Sequence, residues 1–177
     1  MIRRRKKYSK PRKPFDKARI DEENQLKEKY GLKSKREIWK ADTSIARIRN
    51  LAKELITKSD EEKTAFVERL QKRGYNVQSL QDALALDKED LLKRRLQTIL
   101  AAGGIVRTPK QARQLIVHKH VSVNDKIVNI PSYHVDLEDE PNVRLNILLK
   151  IPESKKSKIE QIKEEVLGEE ESMEVIE

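Results

Sequence analysis

Residues 94–135 read RRLQTILAAGGIVRTPKQARQLIVHKHVSVNDKIVNIPSYHV, and the fold turns on how this stretch divides. Leu96, Ile99 and Leu100, with Leu92 just upstream, recur at three- and four-residue spacing. A helix is therefore predicted from Asp87, capped by that carboxylate and ended by Gly103-Gly104. Arg94, Gln97 and Thr98 then fall on its outer face, with Arg95 on the flank. Thr108 is placed to cap a second helix, with Pro109 in the first turn where its missing N–H costs nothing. Ala112, Leu115 and Ile116 share the inner face of that helix, and Lys110, Arg113 and Gln114 share the opposite one. Val121, Val123, Ile127 and Ile130 alternate with polar residues around Asn124-Asp125, which predicts short strands joined by a tight turn. Pro131-Ser132-Tyr133 breaks the pattern, and 144–150 offers a last strand.

Upstream, the chain reads as helices. Lys17 to Tyr30 is charged and helix-favouring, with Gly31 as its stop. Ser34 and Glu37 have the spacing of a capping box and predict a short helix through Trp39. Asp42 or Thr43 is placed to cap the next helix, whose apolar stripe is Ile45, Ile48, Ala52, Leu55 and Ile56. Arg47, Asn50 and Glu54 project from its other side. Trp39 is expected to anchor the core. Asp60 to Arg73 reads as a further helix burying Phe66, Val67 and Leu70 before Gly74, and Asn76 to Leu86 supplies another short apolar segment.

Charge is unevenly spread over the 177 residues, whose formal net charge is +9. Residues 1–20 carry ten Lys or Arg against one Asp, residues 21–150 carry 25 against 20 acids, and residues 151–177 carry four against nine. Concentrated cations neutralise phosphates and release their counterions, so a polyanion is the expected partner. With 36% apolar residues, one or two small domains are expected. Absent cysteines exclude disulfides and a thiolate zinc site. His118, His120 and His134 make no convincing metal cluster, and the first two read as polar helix-end groups. No run spans a bilayer and the opening lacks a secretory hydrophobic segment, so a soluble intracellular protein is expected.

The opening MIRRRKKYSKPRKPFDK carries Arg3, Arg4, Arg5, Lys6, Lys7, Arg12 and Lys13, and reads as an extended arm that a polyanion orders. Residue type alone leaves open whether its Tyr8 and Phe15 stack on bases or pack into a protein groove. The candidate contacts in the rest of the chain are Arg47, Arg94, Arg95, Arg107, Lys110, Arg113, Gln114, His118, Lys119 and His120, with Lys126 extending the set from the turn. Arginine suits such a surface because its guanidinium grips phosphate oxygens bidentately. Elsewhere there is no phosphate-cradling glycine loop, metal-ligand cluster or nucleophile with a positioned base, so no enzyme activity, catalytic residue, metal or cofactor is expected.

These residues carry a family resemblance. The segment from Arg94 to Val135 resembles the RNA-binding domain named after ribosomal protein S-four, and ARQLIVHKHVSVNDKIVNIPSYHV (112–135) is especially similar to the ribosomal family itself. YGLKSKREIWKADTSIARIRNLAKEL (30–55) resembles the N-terminal region of its archaeal and eukaryotic members. Two departures stand out: Thr108-Pro109 replaces a usual Ser-Arg, and Asn124-Asp125 replaces Asn-Gly. The absence of the cysteine cluster that many bacterial members use for zinc points to the archaeal, metal-free type.

The resemblance implies an α+β fold: a mainly helical N-terminal domain, then an RNA-binding domain of two helices and a small β-sheet. The implied division is a basic arm (1–20), a helical domain (21–93), the RNA-binding domain (94–158) and an acidic tail (159–177). It further implies a structural constituent of the small ribosomal subunit, a primary binder of small-subunit rRNA that nucleates assembly of the subunit body and contributes to translational accuracy. Implied partners are that rRNA, neighbouring small-subunit proteins and nearby messenger RNA, with no membrane or small-molecule substrate. A free RNA chaperone or translational repressor using the same domain is the alternative.

Overall fold

The computed structural model describes residues 6–146. Arg3, Arg4 and Arg5, residues 147–150 of the expected last strand and the acidic tail lie outside them. The architecture is α+β: helices α1 (Lys17–Lys29), α2 (Lys35–Leu55), α3 (Asp60–Lys72), α4 (Leu80–Ala85), α5 (Lys88–Lys93), α6 (Leu96–Ala102) and α7 (Pro109–Val117) precede a three-stranded antiparallel sheet. Its strands β1 (Val121–Val123), β2 (Lys126–Ile127) and β3 (Val143–Leu145) lie in the order β2-β1-β3.

Local chemistry explains most boundaries. Gly31 ends α1 and Gly74 follows α3, both with positive φ (59° and 79°). The Thr108 hydroxyl accepts from Gln111 N at 3.2 Å, so α7 starts where Thr108-Pro109 directs it. Asn124 and Asp125 take φ of 48° and 61°, the paired left-handed conformation of a two-residue hairpin turn, and the missing Gly does not prevent it. Val123 then pairs with Lys126 and with Val143.

Packing divides into apolar clusters. Leu26, Tyr30, Leu32, Ile38 and Ala41 gather with Leu92 where α1 crosses α2. Ile45, Ile48, Ala52, Phe66, Leu70 and Val77 join α2 to α3 and α4. Leu96, Leu100, Ala112, Ile116, Val121 and Val135 fill the space between α6, α7 and the sheet. Ile56, Ile127 and Ile130, expected inside, are exposed. Ile56 lies past the last turn of α2, and Ile127 sits on the edge strand, where alternation no longer meets a second layer.

Two helix boundaries differ from expectation. α2 is continuous through Asp42 and Thr43: the Thr43 hydroxyl donates back to Trp39 O at 2.8 Å, so the residue that could cap instead bonds within the helix. The single helix expected from Asp87 to Gly103 is broken at Arg94-Arg95 into α5 and α6. Leu96 N donates to Tyr133 O at 2.8 Å and Val135 N donates to Arg94 O at 3.0 Å, so 133–135 captures this backbone in a strand-like pairing.

Candidate nucleic-acid interface

Three candidate arginines are turned away from solvent, two of them at the helix break. Arg95 is buried, 3% exposed, rather than displayed on a helix flank, and its Nη2 lies 2.5 Å from Glu37 Oε2. Arg113, expected to face outward, reaches Glu37 Oε1 at 3.1 Å through Nη2, and its Nη1 donates to Gln97 Oε1 at 3.4 Å. Arg94 bonds Glu140 Oε2 at 2.9 Å and Val135 O at 3.0 Å. Its guanidinium lies over Gly74, where a Cβ would come within 2.4 Å of Arg94 Nε.

Gln97, also expected outside, is 1% exposed. Its Nε2 donates to the carbonyls of Tyr30 (3.1 Å), Gly31 (2.9 Å) and Pro109 (2.9 Å). The expected box is only partly built: the Ser34 side chain makes no capping bond, and the Glu37 carboxylate accepts from Lys33 N at 3.3 Å while also serving two arginines. Burial alone raises the Glu37 carboxyl pKa, but hydrogen bonds from Arg95 and Arg113 overcome this and hold it below the ordinary glutamate value.

With those guanidiniums turned inward, a different set faces solvent. Lys6, Lys7, Arg12, Lys13, Arg47, Arg107, Lys110, Gln114, His118, Lys119 and Lys126 are exposed. Their side chains make no ion pair among the described residues. His120 is half-buried, its ring 6.2 Å from and nearly parallel to that of His118 at the end of α7. Lys119 holds φ 64°, the left-handed position just past a helix where glycine is usual.

Arg36 and Lys40 complete the surface and were missed by sequence reasoning. They stand one turn apart on α2, exposed, and with Ser44, Arg113 and Ser132 line a groove of about 500 Å³. An adjoining groove shares Ser44, Arg95 and Ser132 and adds Arg47, Arg73 and His134. The i, i+4 spacing of Arg36 and Lys40 opposite the apolar stripe was the available signal. His134 fixes the far wall: its Nε2 lies 3.0 Å from Arg73 O and its ring stacks on Tyr75 at 5.5 Å. Burial lowers the His134 pKa despite that bond. Among the described residues no helix is long and apolar enough to cross a membrane. Nor does any group of His, Cys, Asp and Glu there match a metal site.

Comparison with known proteins gives the same frame. The S4 domain model matches residues 94–141. The small ribosomal subunit protein uS4 of Nanoarchaeum equitans is 41% identical over 174 residues, covering 93% of this chain and 97% of that protein. The uS4 proteins of Picrophilus torridus (42% over 152 residues, 80% of this chain and 82% of the relative) and Thermoplasma volcanium (40% over 176, 90% and 88%) are similarly close. Identity at this level across nearly whole lengths, on a fold whose 94–141 segment holds α6, α7 and the β1–β2 hairpin with β3 just beyond it, leaves one conclusion: the chain belongs to the uS4 family.

Proposed function

We propose that the protein is a structural, RNA-binding constituent of the small ribosomal subunit, binding small-subunit rRNA early enough to nucleate assembly of the subunit body. The observation that supports this most directly is a pair of adjoining grooves, one lined by Arg36 and Lys40 and the other by Arg47, cations that pair with no carboxylate among the described residues. Arg107, Lys110 and Lys119 extend the positive surface around α7, and the arm (1–20) adds a second positive strip. In this reading the 94–158 module and the arm contact RNA, the helical part (21–93) supplies the other groove wall, and the acidic tail (159–177) contributes no phosphate contact because its carboxylates repel phosphate. Neighbouring subunit proteins, nearby messenger RNA, a contribution to accuracy and a cytoplasmic location complete it. Phosphate contacts dominate affinity, while a folded RNA junction selects by shape.

A salt series tests this. If about six phosphates are engaged, log K for a small-subunit rRNA transcript falls with log salt at a slope of roughly −4 to −6. Binding indifferent to salt removes the mechanism. Retention on small subunits through a high-salt wash separates a constituent from a free chaperone or repressor, and family membership favours the constituent.

Lys119 gives a second expected result. A lysine in the left-handed region carries strain of roughly 1 kcal/mol that glycine does not. Lys119→Gly is therefore expected to raise stability by about that amount. The same change weakens RNA binding and reduces the salt slope by about one. Urea unfolding and filter binding read the two effects, and matching signs would show that Lys119 contacts no phosphate.

A further inference from the structure

The two aromatic side chains of the basic arm have different fates. Tyr8 is half-buried, its ring centroid 6.0 Å from that of Trp39, and the neighbouring Ser9 N donates to Thr43 Oγ1 at 3.3 Å. Tyr8 is thereby spent on the protein. Phe15 is 92% exposed, more than any other large apolar residue among those described.

The backbone that carries Phe15 is fixed. Arg19 Nη2 donates to the carbonyls of Lys13 at 2.9 Å and Pro14 at 3.1 Å, and its Nη1 lies 3.0 Å from Glu23 Oε1. Glu23 is itself buried, accepting from Trp39 Nε1 at 2.9 Å and facing Lys35 Nζ at 3.4 Å. On the other side, Asp16 O accepts from Ile20 N at 3.0 Å as α1 begins. The ring therefore stands out from a braced turn.

Its surroundings decide the partner. Lys10, Arg12, Lys13 and Lys17 are exposed around it without a paired carboxylate among the described residues, and Asp16 is the one acid between positions 6 and 20. A nucleic acid strand supplies both matching features at once: phosphates for the cations and a base π-face for the ring. We infer that Phe15 is a stacking platform for an unpaired base of the bound RNA, with the flanking cations holding the phosphates on either side. This rests on the RNA-binding function proposed above and assigns one contact within it.

The full-length protein and three variants, Phe15→Ala, Phe15→Leu and Phe15→Trp, are titrated with a small-subunit rRNA transcript across a salt series. Loss of one base–aromatic stack is expected to weaken Phe15→Ala by about 5- to 150-fold at every salt concentration. The slope should stay unchanged, because no charge is lost. Phe15→Trp should retain affinity, and Phe15→Leu should fall with Phe15→Ala because it keeps apolar bulk without a π-face. Circular dichroism checks that the variants fold. If the unaltered protein binds with steep salt dependence and Phe15→Ala binds equally well, stacking is overturned while the RNA function stands. If Phe15→Leu matches the unaltered protein, the contact is merely apolar and the inference fails. If the unaltered protein does not bind the transcript, the underlying function fails and this contact with it.

Discussion

Glu37→Ala is expected to lower the unfolding free energy by about 3 kcal/mol, because breaking a buried pair strands the charge that remains. Arg95 is the stranded partner, enclosed and with its Nε already lacking a hydrogen-bond partner. Arg113 is only half-buried and can turn to water, which places the estimate at the lower end of the range for buried pairs. Glu37→Gln retains an acceptor oxygen and should lose less. Urea unfolding measures both, and a loss below about 1 kcal/mol for the alanine variant would mean that Arg95 finds other solvation. The pH dependence has a definite sign. A depressed carboxyl pKa stabilises the native state above the unfolded value, near 4.5, and that contribution disappears as pH falls through the lower native value. The variant's stability curve should therefore be flatter than the parent's in the acid range below about pH 4.5.

Gly31→Ala is the other large expected effect. Gly31 has φ 59°, and an added Cβ would lie 2.9 Å from Pro109 Cβ and 3.0 Å from both Pro109 C and Gln97 Nε2. The left-handed conformation costs an alanine roughly 1 kcal/mol, and overpacking against backbone adds about 1–3 kcal/mol, for a total of about 3 kcal/mol. Gly104→Ala isolates the contribution of space. Gly104 has φ 70° but nothing within 4 Å of its added Cβ, so only the conformational cost of roughly 1 kcal/mol remains. Equal losses in the two variants would show that the approach of Pro109 to Gly31 is not tight in solution.

These positions also show what the sequence made visible. Local stops and starts were legible: Gly31, Gly74, Gly103-Gly104, Thr108-Pro109 and the Asn124-Asp125 turn all act through residues within a few positions of themselves. The break at Arg94-Arg95 was not, since neither residue disfavours a helix. Its cause lies at Tyr133 and Val135, far along the chain. Periodicity likewise placed Gln97, Arg95 and Arg113 outside because they are polar. Their partners, Tyr30 O, Gly31 O and Glu37, come from another helix pair. The roles of the two aromatics in the arm stayed open in the sequence for a related reason. Tyr8 had Trp39 as a partner that spacing could not reveal, while Phe15 kept the exposure its neighbours suggested.

The Gln97 amide has a practical consequence for anyone who would transplant the C-terminal motif into a foreign scaffold. Cut free at Arg94, the segment keeps Pro109 but forfeits the other two oxygens its carboxamide serves, and it carries away two guanidiniums whose shared counterion stays behind. A portable version needs new side chains at 95, 97 and 113, or a host that reproduces an acidic residue and a glycine bend at the docking face. The motif is a recurrent shape, but in this chain it is not a self-sufficient cassette.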